Sequence, residues 1–175
     1  MKKVARPPSS PRGSPSRDCI FCRIVAGEAA ASKVYESRRA LAFMDVNPVR
    51  PGHLLLIPKA HRAQTWDMGE AEFAAVYRSL PRLVRALARA MRADAVDVLN
   101  LNGAAGGQTV FHVHFHLIPI HRGRSPVRRR GRRVGFTFTQ ASPTRAALDR
   151  AALRIRAALS SAGATRGRRA TLRSS

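Results

Sequence analysis

The chain has 175 residues, 45% of them apolar, which fits one packed domain with flanking segments. No run of about 18 apolar residues offers a membrane-spanning helix. The formal charge of +22 suggests a polyanionic partner, but residues 18–120 carry only +3 of it. Residues 1–17 hold five bases and no acid, and residues 121–175 hold fifteen arginines against Asp149 alone. The excess therefore lies in the flanks. It lacks the interleaved aromatics that stack single-stranded nucleic acid, and it reads as solvated tail with a weak, non-specific attraction to polyanions. Two cysteines are too few for a disulfide framework. With no apolar export segment at the N-terminus, a cytoplasmic setting is expected.

In chain order, residues 1–17 are rich in Pro, Ser and Arg and predict a disordered basic tail. A domain begins at Asp18, and residues 19–25 predict a short helical turn closed by Gly27. Residues 33–37 and 40–45 predict short strands, and Asn47-Pro48 and Pro51-Gly52 punctuate a loop. The run His53-Leu54-Leu55-Leu56-Ile57-Pro58 is apolar throughout and predicts a central strand. Phe73, Val76, Leu80, Val84, Leu87 and Met91 recur every three or four positions and predict one long helix over 70–92. Pro81 removes an intrahelical donor, so a kink or break is expected near 79–80. Residues 95–102 predict a strand that enters the glycine-containing loop 103–107, and residues 110–118 predict the next strand, ended by Pro119. Residues 121–135 read as an arginine-rich loop, 136–139 as a short edge strand, 143–159 as a second helix, and 163–175 as a disordered basic tail. Trp66 and Phe43 read as core or site wall, and His121 as a solvated side chain.

The chemistry concentrates in His112-Val113-His114-Phe115-His116-Leu117-Ile118. In a strand, residues at i, i+2 and i+4 project the same way, so three imidazoles share one face and Val113, Phe115 and Leu117 share the other. Such a row can be a set of chance surface histidines or a zinc site. It can supply a nucleophile if donors for a phosphoryl oxyanion lie beside it. Gly106-Gly107-Gln108-Thr109 offers main-chain N–H groups, an amide and a hydroxyl at that place, and Asn102 adds another donor. Cys19-x-x-Cys22 is open between a buried pair on a short helix, a redox pair and half of a metal site.

Residues 102–119 resemble the signature of the histidine-triad (HIT) nucleotide hydrolases and transferases. Residues 18–24 resemble that family's opening, and residues 41–48 and 51–61 its nucleotide-facing strands, so the resemblance spans a HIT domain over 18–120. Residues 121–162, the arginine-rich loop and C-terminal helix, fall outside it. The resemblance implies an α+β fold: a mostly antiparallel five-stranded sheet, one long helix, a short N-terminal helix, and a homodimer. It implies a catalytic row of His112, His114 and His116, with His114 forming a covalent nucleotidyl-histidine and His116 touching the α-phosphate or leaving group. Gln108 and Thr109, assisted by Asn102, would hold phosphate oxygens, Asp45 would face the ribose hydroxyls, and His53 would support the nucleophile from behind. The zinc-bearing bacterial branch of the family implies a structural zinc on Cys19, Cys22, His61 and His112, which would make His112 a ligand rather than a catalyst. The substrates implied are purine nucleoside phosphoramidates, dinucleoside polyphosphates or other nucleotide conjugates. Two rival readings remain at this point: a non-catalytic nucleotide-binding scaffold whose basic tails bind nucleic acid, and a catalytic metal centre on the triad.

Overall fold

The computed structural model describes residues 16–123, 127–130, 133–136 and 140–170. Seven strands and four helices follow in the order α1 (Ile20–Ala26), β1 (Lys33–Glu36), β2 (Ala40–Met44), β3 (Leu54–Pro58), α2 (Glu70–Tyr77), α3 (Leu80–Met91), β4 (Ala95–Asn100), β5 (Phe115–Ile120), β6 (Val127–Arg130), β7 (Arg133–Phe136) and α4 (Arg145–Ala170). The first five strands form one antiparallel sheet in the order β1-β2-β3-β5-β4. The α+β class and five-stranded sheet expected from the sequence are therefore present. No helix among the described residues is long and apolar enough to cross a membrane.

Every residue of β2 and β3 is buried, because both faces of the sheet centre are covered. On one face Ala42, Met44, Leu54, Leu56, Phe115 and Leu117 pack against Leu83 and Leu87 of α3 and Leu148, Ala152 and Ile155 of α4. On the other, Leu41, Phe43, Leu55 and Ile57 pack against Phe21 and Ile24 of α1. Each fully buried aliphatic side chain contributes about 1.5–3 kcal/mol to this core. Gly27 closes α1 at φ 82°, a left-handed position suited to a residue without Cβ, and its N–H bonds back to Ile24.

One of the finer expectations holds and others change. The segment 70–92 carries the break expected near 79–80: it is two helices, parted after Tyr77, and Pro81 sits in the first turn of α3, where its missing N–H has no intrahelical acceptor to lose. The histidine strand begins at Phe115 rather than Val110 and runs through Pro119 to Ile120, because its partners Leu56 and Asn100 end opposite Phe115. The arginine-rich segment 121–135 contains the antiparallel hairpin β6–β7. Of the expected strand 136–139, Phe136 closes β7 and 137–139 lie outside the described residues, as do residues 1–15 and 171–175 of the two tails. The C-terminal helix runs to Ala170, past the expected end of order at 162. Trp66 is 65% exposed rather than packed, and His121 is anchored, its Nε2 donating to the Met91 carbonyl at 3.1 Å.

Candidate functional site

The alternation read from the sequence survives beyond the strand end. Val113, Phe115 and Leu117 enter the helix-side core. His112 and His114 emerge opposite them and stand edge-on to the Phe21 ring at centroid distances of 5.8 and 5.4 Å. His114 and His116 are 4.8 Å apart.

Hydrogen bonding fixes the tautomers. His114 Nδ1 lies 2.7 Å from the His112 carbonyl, which can only accept, so Nδ1 carries the proton and Nε2 keeps its lone pair. The main-chain N–H of Val49 donates to His53 Nδ1 at 3.2 Å, so His53 carries its proton on Nε2. That proton faces His116 Nδ1 at 2.9 Å, which leaves His116 with a donor N–H at Nε2. Asp45 Oδ2 lies 3.4 Å from His53 Nδ1, while its Oδ1 accepts the N–H of Asn47 at 2.9 Å. A bare nucleophilic nitrogen and a donor nitrogen thus stand on neighbouring histidines.

Burial, the leading cause in each case, pushes His114 and His53 below the ordinary imidazole range and His116 down to about 3. The unfolded value of 6.5 lies above these, so the unfolded chain takes up protons first. The stability these histidines contribute is complete above about pH 6.5 and drains away as pH falls toward the folded values. Thermal midpoints measured from pH 7.5 down to 4.5 should decline, and His116→Gln should flatten the decline; equal slopes in the two proteins would contradict it.

The glycine loop departs from expectation. The N–H groups of Gly106, Gly107 and Gln108 close the loop on Gly103 and Ala104. Gly107 sits at φ 89° to make the return. Gln108 is buried, its Nε2 donating to the carbonyls of Ala63 and Val110 and its Oε1 accepting from Gly103 N–H. Asn102 is committed to Thr65 N–H and to the Asn100 side chain. Of the side-chain donors named from the sequence, Thr109 is the exposed one, with no protein partner for its hydroxyl or N–H among the described residues. Asn100 escaped the sequence reading: its Nδ2 donates to the His114 carbonyl at 2.8 Å.

Behind the triad, Cys19, Cys22, His61 and His112 converge, each offering a ligand atom within 4.8 Å of the others. His112 Nε2 donates to the Pro58 carbonyl at 2.9 Å, so its Nδ1 lone pair is directed at the two sulfurs, 3.5 and 3.7 Å away. His61 Nδ1 lies 3.2 Å from Cys22 Sγ. A ligating imidazole held through its other nitrogen by a carbonyl is the usual arrangement around a metal, and two thiols with two imidazoles suit zinc. Burial pushes the Cys22 thiol up to about 11, and a bound divalent cation would reverse this by stabilising the thiolate.

Fold and site together define a class: α+β proteins that carry alternating imidazoles at the end of a central strand, backed by a thiol–imidazole cluster. A sequence model of the HIT domain matches residues 26–123. The chain is 43% identical to adenosine 5'-monophosphoramidase HNT1 of Saccharomyces cerevisiae over 101 residues, 58% of this chain and 61% of that protein. It is 39% identical to adenylylsulfatase HINT3 of Arabidopsis thaliana over 102 residues, 58% of this chain and 52% of that protein. The crystal structure of a zinc-bound histidine triad family protein from Mycobacterium smegmatis superposes with a TM-score of 0.71 at 30% identity, covering 85% of this chain and 97% of that one. The chain belongs to the HIT family.

Proposed function

We propose that the protein is a hydrolase or transferase acting at the α-phosphorus of a purine nucleotide conjugate, by double displacement through His114. The observation that carries this reading is the 2.7 Å bond from His114 Nδ1 to the His112 carbonyl, which leaves Nε2 free to attack. In the first step Nε2 forms a bond to phosphorus, and the leaving group departs with the bonding pair and takes a proton from solvent. The positive charge on the nucleotidyl-imidazole is stabilised by the carbonyl on Nδ1. In the second step water attacks phosphorus and gives its proton to solvent, and the P–N bond breaks and returns its pair to Nε2. His116 Nε2–H and Thr109 would bind phosphoryl or leaving-group oxygens as charge develops. Asp45, beside His53, would take the ribose hydroxyls. Gln108 and Asn102 serve by shaping the loop that presents Thr109. The two curated relatives above are named for adenylyl substrates.

The cysteine–histidine set would hold a structural zinc, stapling α1 to the segment before β5. The protein would act as a homodimer through β4, one of the two edge strands of the sheet, where Val98 is 39% exposed. Val98→Asp should convert a sedimenting dimer to monomer; an unchanged sedimentation coefficient in both forms would remove that interface.

The direct test is incubation with adenosine phosphoramidate and with a diadenosine polyphosphate, followed by measurement of AMP. Release from either supports the reading. Release from neither, with tight salt-sensitive RNA binding, would favour the non-catalytic scaffold.

A further inference from the structure

His114 stands one residue past the end of the sheet. In both ladders flanking β5 the last register pair is made by Phe115, with Leu56 on one side and Asn100 on the other. A carbonyl one position further out has no ladder partner, and a buried carbonyl without one costs free energy. Asn100 supplies the missing bond with its side chain, Nδ2 donating to the His114 carbonyl at 2.8 Å.

The orientation of that amide follows from a main-chain donor. The N–H of Thr65 donates at 2.7 Å to Asn102, so the acceptor there is Oδ1 and the other end of Asn102 is Nδ2. Asn102 Nδ2 donates to Asn100 at 2.7 Å, which makes that atom Oδ1, and Thr65 Oγ1 donates to the same oxygen at 2.6 Å. The remaining end of Asn100, facing His114, is therefore the donor. The nucleophile is gripped twice, its ring by the His112 carbonyl and its main chain by Asn100.

We infer that Asn100 is a positioning residue for His114, setting the line of approach of Nε2 without touching substrate; this rests on the reading of His114 as nucleophile. Asn100→Asp keeps the shape and the acceptor used by Thr65 and Asn102 and replaces the donor toward His114 with a charged acceptor oxygen. Its kcat should fall roughly 10- to 100-fold, the scale of a small misplacement of a reacting group, with KM changed by less than about twofold. The ¹⁵N spectrum of the His114 ring should move from one Nδ1–H tautomer to an average of two. Thr65→Val leaves the donor in place and should cost less than about threefold in kcat. If the carboxylate prevents folding, Asn100→Ala removes donor and acceptor together and is read against Thr65→Val, which weakens the acceptor side alone.

Wild-type kcat in Asn100→Asp with an unchanged His114 spectrum overturns the inference. So does a loss that vanishes well below the thermal midpoint, which marks an effect on stability alone. If the wild-type protein forms no nucleotidyl-histidine, the nucleophile reading fails by itself, and the His114 spectrum still decides whether Asn100 holds that ring.

Discussion

His114→Ala is expected to lose turnover of adenosine phosphoramidate by roughly 10⁴-fold or more, the scale seen when the nucleophile of a two-step enzyme is removed. The loss should be confined to chemistry. On the proposed reading His116 Nε2–H, Thr109 and Asp45 would still bind nucleotide, so affinity for AMP should stay within about threefold of wild type. Wild-type protein quenched in alkali during turnover should carry labelled nucleotide on the chain, and the variant none. The neighbouring imidazoles offer no substitute. His112 has Nε2 on the Pro58 carbonyl and Nδ1 turned to the sulfurs, and His116 Nδ1 accepts from His53. Full turnover in the variant would remove the double-displacement mechanism altogether.

Cys22→Ser should lower the thermal midpoint by about 10 °C or more and reduce bound zinc from about one ion per chain to a trace. The size of the effect follows from what the cluster joins. α1 has seven residues, too few to be helical alone. Its attachment depends on Phe21 and Ile24 and on the link from Cys19 and Cys22 to His61 and His112, distant in sequence. A chelator should bring the same loss of stability, with activity decaying as the fold opens. Immediate loss of turnover in a chain that stays folded would instead point to a catalytic metal. A midpoint unchanged by either treatment would exclude a structural ion.

How much of this could be read from sequence depends on whether each feature was local. The opposition of His112, His114 and His116 to Val113, Phe115 and Leu117 is a property of extended chain, and it holds even where the ladder stops. The buried strands β2 and β3 and the interruption before Pro81 were legible for the same reason. The start of β5 was not, because it depends on where β4 ends and where β3 stops pairing with β5. Gln108 looked like a phosphate donor because its amide is generic; that it binds Ala63, forty-five positions away, depends on tertiary placement. Asn100 looked like an ordinary strand residue, and its role exists only because a neighbouring strand falls one bond short. The β6–β7 hairpin was masked by composition, since a run of arginines reads as solvated loop.

The C-terminal helix has a consequence for where this protein ends as a physical object. The family's sequence model ends at residue 123, yet Leu148, Ala152, Ile155 and Leu159 lie against Leu83 and Leu87 in the main core. The recognisable motif and the unit that packs together therefore have different borders on one polypeptide. A fragment trimmed to residues 26–123 would keep the triad imidazoles, forfeit Cys19 and Cys22, and lose the lid over its own oily floor.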